Sequence, residues 1–141
     1  IEQENINGLT LVNAALTGER KTKEIKIYKQ KNPDYVSESI LSSNENCSSE
    51  YHLSNTVGIE EILSRYSDIS ILKLDIEGAE YEVIDSLPEI EIPQLCIEFH
   101  HFCTDFSEED TRNALQKLFK LGYTHQLSAN GREYLLIHKN Q

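Results

Sequence analysis

Two hydrophobic periods alternate along the chain, and each marks a type of element. Leu9-Thr10-Leu11-Val12 is a short apolar, partly β-branched run leading into Asn13-Ala14-Ala15-Leu16, which predicts a strand. Thr17-Gly18-Glu19-Arg20-Lys21 predicts a turn. Glu24-Ile25-Lys26-Ile27-Tyr28 then alternates, with Ile25 and Ile27 on one face of a half-exposed second strand. Residues 30–56 are polar, rich in Asn and Ser, contain Pro33 and keep no period. A stretch this long without a period predicts a flexible loop, either a functional lid or a segment that is mobile without function. Ile59, Ile62, Leu63 and Tyr66 fall at i, i+3, i+4 and i+7, the stripe of an amphipathic helix. Gly58 serves as its N-cap, Glu61 lies at N3, and Ser67-Asp68 ends it.

The second half is more regular. Residues Ile69 to Ile76 are dense in Ile and Leu, as expected of a central parallel strand covered on both faces. Gly78 permits a tight strand-to-helix turn. Ala79, Val83 and Leu87 then mark the buried stripe of a short helix that stops before Pro88. Gln94 to His101 predicts another strand, apolar until its last residues. Ser107 and Asp110 have capping-box spacing ahead of a helix that buries Ala114, Leu115, Leu118 and Phe119. Lys117 and Lys120 sit in its last turn, with Gly122 at C′. Asn130-Gly131, flanked by Tyr123–Ser128 and Arg132–His138, predicts a closing β-hairpin. Alternating strands and helices point to one α/β domain over residues 1–141 with a mostly parallel sheet, to which the hairpin adds an antiparallel edge.

Composition narrows the partners. The 141 residues carry a formal net charge of −11, which repels phosphate backbones and argues against nucleic acid. No apolar run approaches a membrane span, and the first residues lack a signal-peptide pattern. The three cysteines, Cys47, Cys96 and Cys103, are odd in number and show no CxxC spacing, so neither a disulfide framework nor a structural zinc site is expected. Cys96, inside an apolar run, reads as a buried small hydrophobe. These features together suggest a cytoplasmic protein. The sequence contains no Met and is expected to begin inside a longer protein.

The acids and histidines are grouped. Asp75 and Glu77 lie at the C-terminal end of one predicted strand, and Glu98, His100 and His101 at the end of the next. Parallel neighbours joined by a right-handed crossover bring both sets to one sheet edge, where open α/β sheets bind ligands. Period two puts Asp75 with Glu77 and Glu98 with His100, while His101 points the other way. Carboxylates beside an imidazole can act as a general base or can hold a divalent cation. No HExxH motif is present, and no residue is assigned as a metal ligand. Asp75 could instead cap the following helix, and Glu77 could be a solvated turn residue.

Leu72-Lys73-Leu74-Asp75-Ile76-Glu77-Gly78-Ala79-Glu80-Tyr81-Glu82-Val83-Ile84 resembles the signature of FkbM-family methyltransferases. Ile97-Glu98-Phe99-His100 resembles a downstream strand of that family, Asn13-Ala14-Ala15-Leu16 the segment after its third strand, and Gly131 to Ile137 its closing strand. The resemblance implies a Rossmann-like class I methyltransferase fold and transfer of a methyl group from S-adenosylmethionine to a hydroxyl. The acceptor would be a sugar, polysaccharide or polyketide-type molecule. It further implies Asp75, Glu98 and His100 as catalytic candidates, with Glu98 or His100 as the base. Asn13, Ala14 and Asp75 become cofactor-side candidates, and Glu77 and His101 substrate-side ones. The competing readings are a metal-dependent hydrolase using the same acidic edge and a non-catalytic α/β interaction module.

The family's glycine-rich cofactor turn, and the acid one strand later, have no counterpart here. The six glycines, Gly8, Gly18, Gly58, Gly78, Gly122 and Gly131, form no GxGxxG-like cluster. By correspondence the chain lacks the first two strands of the fold. The expectation is that it binds S-adenosylmethionine weakly or not at all by itself, the chain being either a truncated piece of the domain or a half that pairs with the missing N-terminal half as a separate partner.

Overall fold

The computed structural model describes residues 3–6, 8–21, 23–89 and 91–140. The chain opens with a hairpin of β1 (Gln3–Ile6) and β2 (Leu9–Val12), turning at Gly8, whose φ is +83°. β1 was not foreseen, because Gln-Glu-Asn-Ile carries no apolar period. Leu9 and Leu11 are 63% and 54% exposed, so this hairpin stands off the core. β3 (Ala15–Thr17) follows, so the predicted turn begins one residue later than Thr17.

β4 (Ile25–Gln30) pairs antiparallel with β5 (Cys47–Ser54), with Tyr28 opposite Tyr51. The expected structureless loop over 30–56 is therefore corrected: a strand occupies its second half. β5 escaped detection because it is exposed along most of its length, only Cys47 being fully buried, so its sequence shows no alternation. β6 (Thr56–Gly58) is buried throughout and lies parallel to β3. It leads directly into α1 (Ile59–Arg65), with Gly58 at the N-cap and Ile59 and Leu63 buried, as the stripe predicts.

The second half forms β7 (Ile71–Leu74), α2 (Glu80–Asp85), β8 (Gln94–Glu98), α3 (Glu108–Lys120), β9 (Tyr123–Ala129) and β10 (Glu133–His138). Its four strands make one sheet in the order β7-β8-β10-β9. β7 and β8 are parallel, with Leu74 opposite Ile97, whereas β10 is antiparallel to both β8 and β9. The sheet is thus mixed rather than mostly parallel. The hairpin supplies two strands instead of one edge strand, and β10 inserts beside β8. Asn130 and Gly131 at its tip have φ of 61° and 66°, the left-handed conformation these residue types tolerate.

α2 and α3 cover one face of this sheet, burying Leu74, Val83, Ile84, Leu95, Ile97, Leu118 and Leu136 in a single cluster. The opposite face is less covered. β7 is an edge strand, with Ile71 54% exposed, and does not have the two covered faces its sequence suggests. Cys96 is half-exposed on that open face, while Cys47 and Cys103 are the buried cysteines. α3 begins with the Ser107–Asp110 capping box, and Gly122 follows it at φ +101°. Phe119, expected in the core, is 41% exposed, because the stripe through Ala114, Leu115 and Leu118 already faces α2 and the sheet. Among the described residues no helix is long and apolar enough to cross a membrane.

Candidate active site

Parallel pairing of β7 with β8 brings their C-terminal ends together, and the acidic groups converge there as the sequence implied. The turn after β7 is tightly wound: Glu77 has a φ of 54° and Gly78 one of 106°. A non-glycine residue in the left-handed region costs energy and persists only where its surroundings hold it. Several contacts hold Glu77. Ser39 Oγ donates to its carbonyl at 2.6 Å, and Asn44 Nδ2 lies 3.4 Å from both that carbonyl and Oε2. Ser39 and Asn44 are both buried. A Cβ on Gly78 would collide with the Leu41 side chain. The polar segment before β5 is therefore packed onto the turn that carries Asp75 and Glu77.

Glu80, the first residue of α2, is fully buried and folds its side chain back into this turn. Its carboxylate accepts the backbone N–H of Ile76 at 2.9 Å and of Gly78 at 3.0 Å. The same carboxylate meets His100 Nδ1 at 2.9 Å. A buried carboxylate with three partners is satisfied, and it fixes the imidazole's orientation. His100 is 3% exposed, and its Nε2 faces Glu77 Oε2 at 3.6 Å and Asp75 Oδ1 at 3.9 Å. Asp75 Oδ2 meets Lys73 Nζ at 2.7 Å. The His100 carbonyl accepts from Thr104 Oγ1 at 2.7 Å, tying down the chain just after β8.

The electrostatics follow from this crowding. Burial pushes the His100 imidazole down, but the Glu80 hydrogen bond and the charges of Glu80, Glu77 and Glu98 outweigh it, so its pKa lies above the ordinary value. Burial, reinforced by the charge of Asp75, holds the Glu98 carboxyl above the usual carboxylate range. Burial also lifts the Cys47 thiol, and it pushes Cys103 up to about 11, so neither thiol is an activated nucleophile.

Two cavities share the Asp75–Glu77 wall. One, of about 530 Å³, is polar and holds Asp75, Glu77, Glu98 and His100, with Gln30, Tyr35 and Phe102 at its sides. The other, of about 560 Å³, lies beside Asn13, Ala14 and Leu16 and extends to Ile27, Glu38 and Ala79. The cofactor-side candidates Asn13, Ala14 and Asp75 thus line one cavity, and the catalytic candidates line the adjoining one. His101 stands apart: its Nδ1 lies 3.0 Å from Thr111 Oγ1 on α3, and it lines neither cavity. Sequence reasoning assigned no role to Glu80, Ser39 or Asn44. Glu80 gave one signal, an acid beside the buried Ala79–Val83 stripe. Ser39 and Asn44 gave none, since polar residues in a polar stretch look solvated.

Comparison with known proteins turns this geometry into a family assignment. The family described as "Methyltransferase FkbM domain" matches residues 2–124. The chain belongs to the FkbM methyltransferase family. The match includes both strand ends that carry the acidic cluster and stops before the closing strand β10. No curated protein and no solved structure matches the chain.

S-adenosylmethionine, the methyl donor this family implies, can be tested against the cavity beside Asn13. The size is within the range of ligand pockets, roughly 300–1,000 Å³. Asp75, Glu77 and Glu38 suit the cofactor's cationic sulfonium and ammonium groups. Among the described residues no Lys or Arg lines the cavity to receive its carboxylate. The residues present therefore fit the cationic part of the cofactor and not the whole of it.

Proposed function

We propose that this chain forms the acceptor side of an S-adenosylmethionine-dependent O-methyltransferase. The acceptor is a hydroxyl on a sugar, polysaccharide or polyketide-type molecule. One observation carries this reading: the Asp75–Glu77 turn separates a polar cleft containing Glu98 and His100 from a second cavity beside Asn13 and Ala14. A donor and an acceptor lying on either side of that turn would meet at Asp75, as alignment of two reactants in one site demands. Within the cleft, Glu98 takes the proton of the acceptor hydroxyl, and His100, oriented by Glu80, holds the hydroxyl oxygen. Asp75 positions the acceptor, and Glu77 contributes to the wall it rests on. The polar lining of the cleft, with Tyr35 and Phe102 at its sides, suits a hydroxylated molecule.

The test is transfer of a labelled methyl group to hydroxylated acceptors by the polypeptide as its gene encodes it. Asp75→Asn, Glu98→Gln and His100→Ala are each expected to lower kcat by about 10²-fold or more, in line with loss of a positioned acid–base group. Unchanged transfer in Glu98→Gln and His100→Ala, or a methyl group found on nitrogen or carbon, would overturn the reading.

A further inference from the structure

We propose that Asp75, Glu98 and His100 form a binding site for a divalent cation inside the acceptor cleft. Each of the three offers one ligand atom, and these atoms lie within 4.8 Å of one another. Metal–ligand bonds of about 2.1 Å put two ligand atoms about 3 to 4.2 Å apart, so a side-chain shift under an ångström closes the site. Asp75 sits at the exposed end of its turn and Glu98 at the end of β8, so both are placed to make that shift.

A second feature points the same way. The imidazole of His100 is 3% exposed, and its Nε2 opens onto the cleft, facing the Glu77 and Asp75 carboxylates without a hydrogen bond to either. The nearest carboxylate oxygens, at 3.6 and 3.9 Å, are too far to accept one. Its Nδ1 is committed to the buried Glu80 carboxylate. A carboxylate on one ring nitrogen, with the other aimed into a polar cleft, is how metal-ligating histidines are usually held. Charge adds to the case: Asp75, Glu77, Glu80 and Glu98 surround this imidazole, while Lys73 reaches only Asp75 Oδ2 and leaves Oδ1 toward His100, and Lys31, which also lines the cleft, donates to the Glu45 carbonyl.

Two carboxylates and one imidazole suit a hard to borderline ion such as Mn²⁺. Three protein ligands leave about three positions of a six-coordinate ion for water or for acceptor oxygens. An acceptor with two adjacent oxygens, a vicinal diol for example, would chelate it, so that with the ion bound His100 holds the hydroxyl oxygen through the ion rather than directly, and the second oxygen of Glu98 would remain for the hydroxyl proton. That role for the acceptor rests on the function proposed above; the ability to bind the cation does not.

The experiment titrates the 141-residue chain with Mn²⁺, following the free ion by electron paramagnetic resonance. One ion per chain is expected, bound ~10-fold or more weakly by Asp75→Asn and by Glu98→Gln, with Glu109→Gln, on the exposed face of α3, as an unaffected control. Circular dichroism checks folding, and Asp75→Asn, at a partly exposed position, keeps the test valid if a more buried variant unfolds. Absence of stoichiometric binding, or binding indifferent to both variants, would overturn the site. A second arm adds a chelator to the methyl-transfer assay. Loss of transfer restored by Mn²⁺ supports the inference. Transfer that survives the chelator but not Glu98→Gln overturns the cation and leaves the methyltransferase reading standing. Mn²⁺ bound without any transfer supports the site and counts against that reading.

Discussion

At the residue scale, Glu80 holds the site together although it never faces the cleft. It satisfies two backbone N–H groups of the Asp75–Gly78 turn and one nitrogen of His100, all in a fully buried position. Glu80→Ala would strand those three groups, and breaking a buried pair by removing one partner typically costs about 3–5 kcal/mol. Glu80→Gln keeps an acceptor oxygen for the turn but loses the charge facing His100, so a smaller loss, about 1–3 kcal/mol, is expected. Chemical denaturation measures both. Glu80→Ala within about 1 kcal/mol of wild type would show that water or rearrangement replaces the carboxylate. The residues that face the cleft were legible in the sequence because their chemistry is unusual at a strand end: Asp75, Glu77, Glu98 and His100 interrupt or end apolar runs. Glu80, Ser39 and Asn44 were not, because a polar residue that is buried by its partners looks in sequence like one that is solvated.

At the element scale, legibility followed burial. β8 alternates between buried and half-buried positions and α3 presents a continuous stripe, and both were readable. β1 and β5 are strands by backbone pairing, with side chains that carry no apolar period, so periodicity had nothing to detect. The capping box of α3 was read directly from Ser107 and Asp110. Ser107 Oγ accepts from the Asp110 N–H at 3.3 Å, and the Asp110 carboxylate accepts from the Ser107 N–H at 2.7 Å. Ser107→Ala should cost about 0.5–2 kcal/mol by thermal or urea denaturation, as for other serine N-caps. The Ser107 hydrogen bonds hold the Asp110 carboxyl below its ordinary value. A depressed carboxylate stabilises the fold above its unfolded pKa and loses that contribution as pH falls through its folded pKa. The gap between wild type and Ser107→Ala should therefore be full at neutral pH and shrink in acid below about 3.8. A gap independent of pH would assign the effect to the serine alone.

At the scale of the whole molecule, charge and topology together limit what the chain binds. Its net charge is −11, and the cavity beside Asn13 and Ala14 is walled by Asp75, Glu77 and Glu38. A helix N-terminus is the usual place for a cofactor's carboxylate or phosphate. Ala79, the N-cap of α2, lines this cavity, but that helix is only six residues long and its first turn carries Glu80 and Glu82, which disfavours an anion there. No glycine cluster elsewhere in the sequence offers a second cradle. S-adenosylmethionine would therefore gain from its sulfonium and ammonium groups and lose at its carboxylate, which meets three acids and, among the described residues, no base. We expect the isolated 141 residues to bind it with a Kd of about 1 mM or weaker, a free energy near −4 kcal/mol. Decarboxylated S-adenosylmethionine, which lacks the offending group, should bind at least as well. Titration calorimetry decides between the outcomes: one-to-one binding at micromolar Kd, weakened by removing the carboxylate, would mean that the acidic wall rearranges around the cofactor.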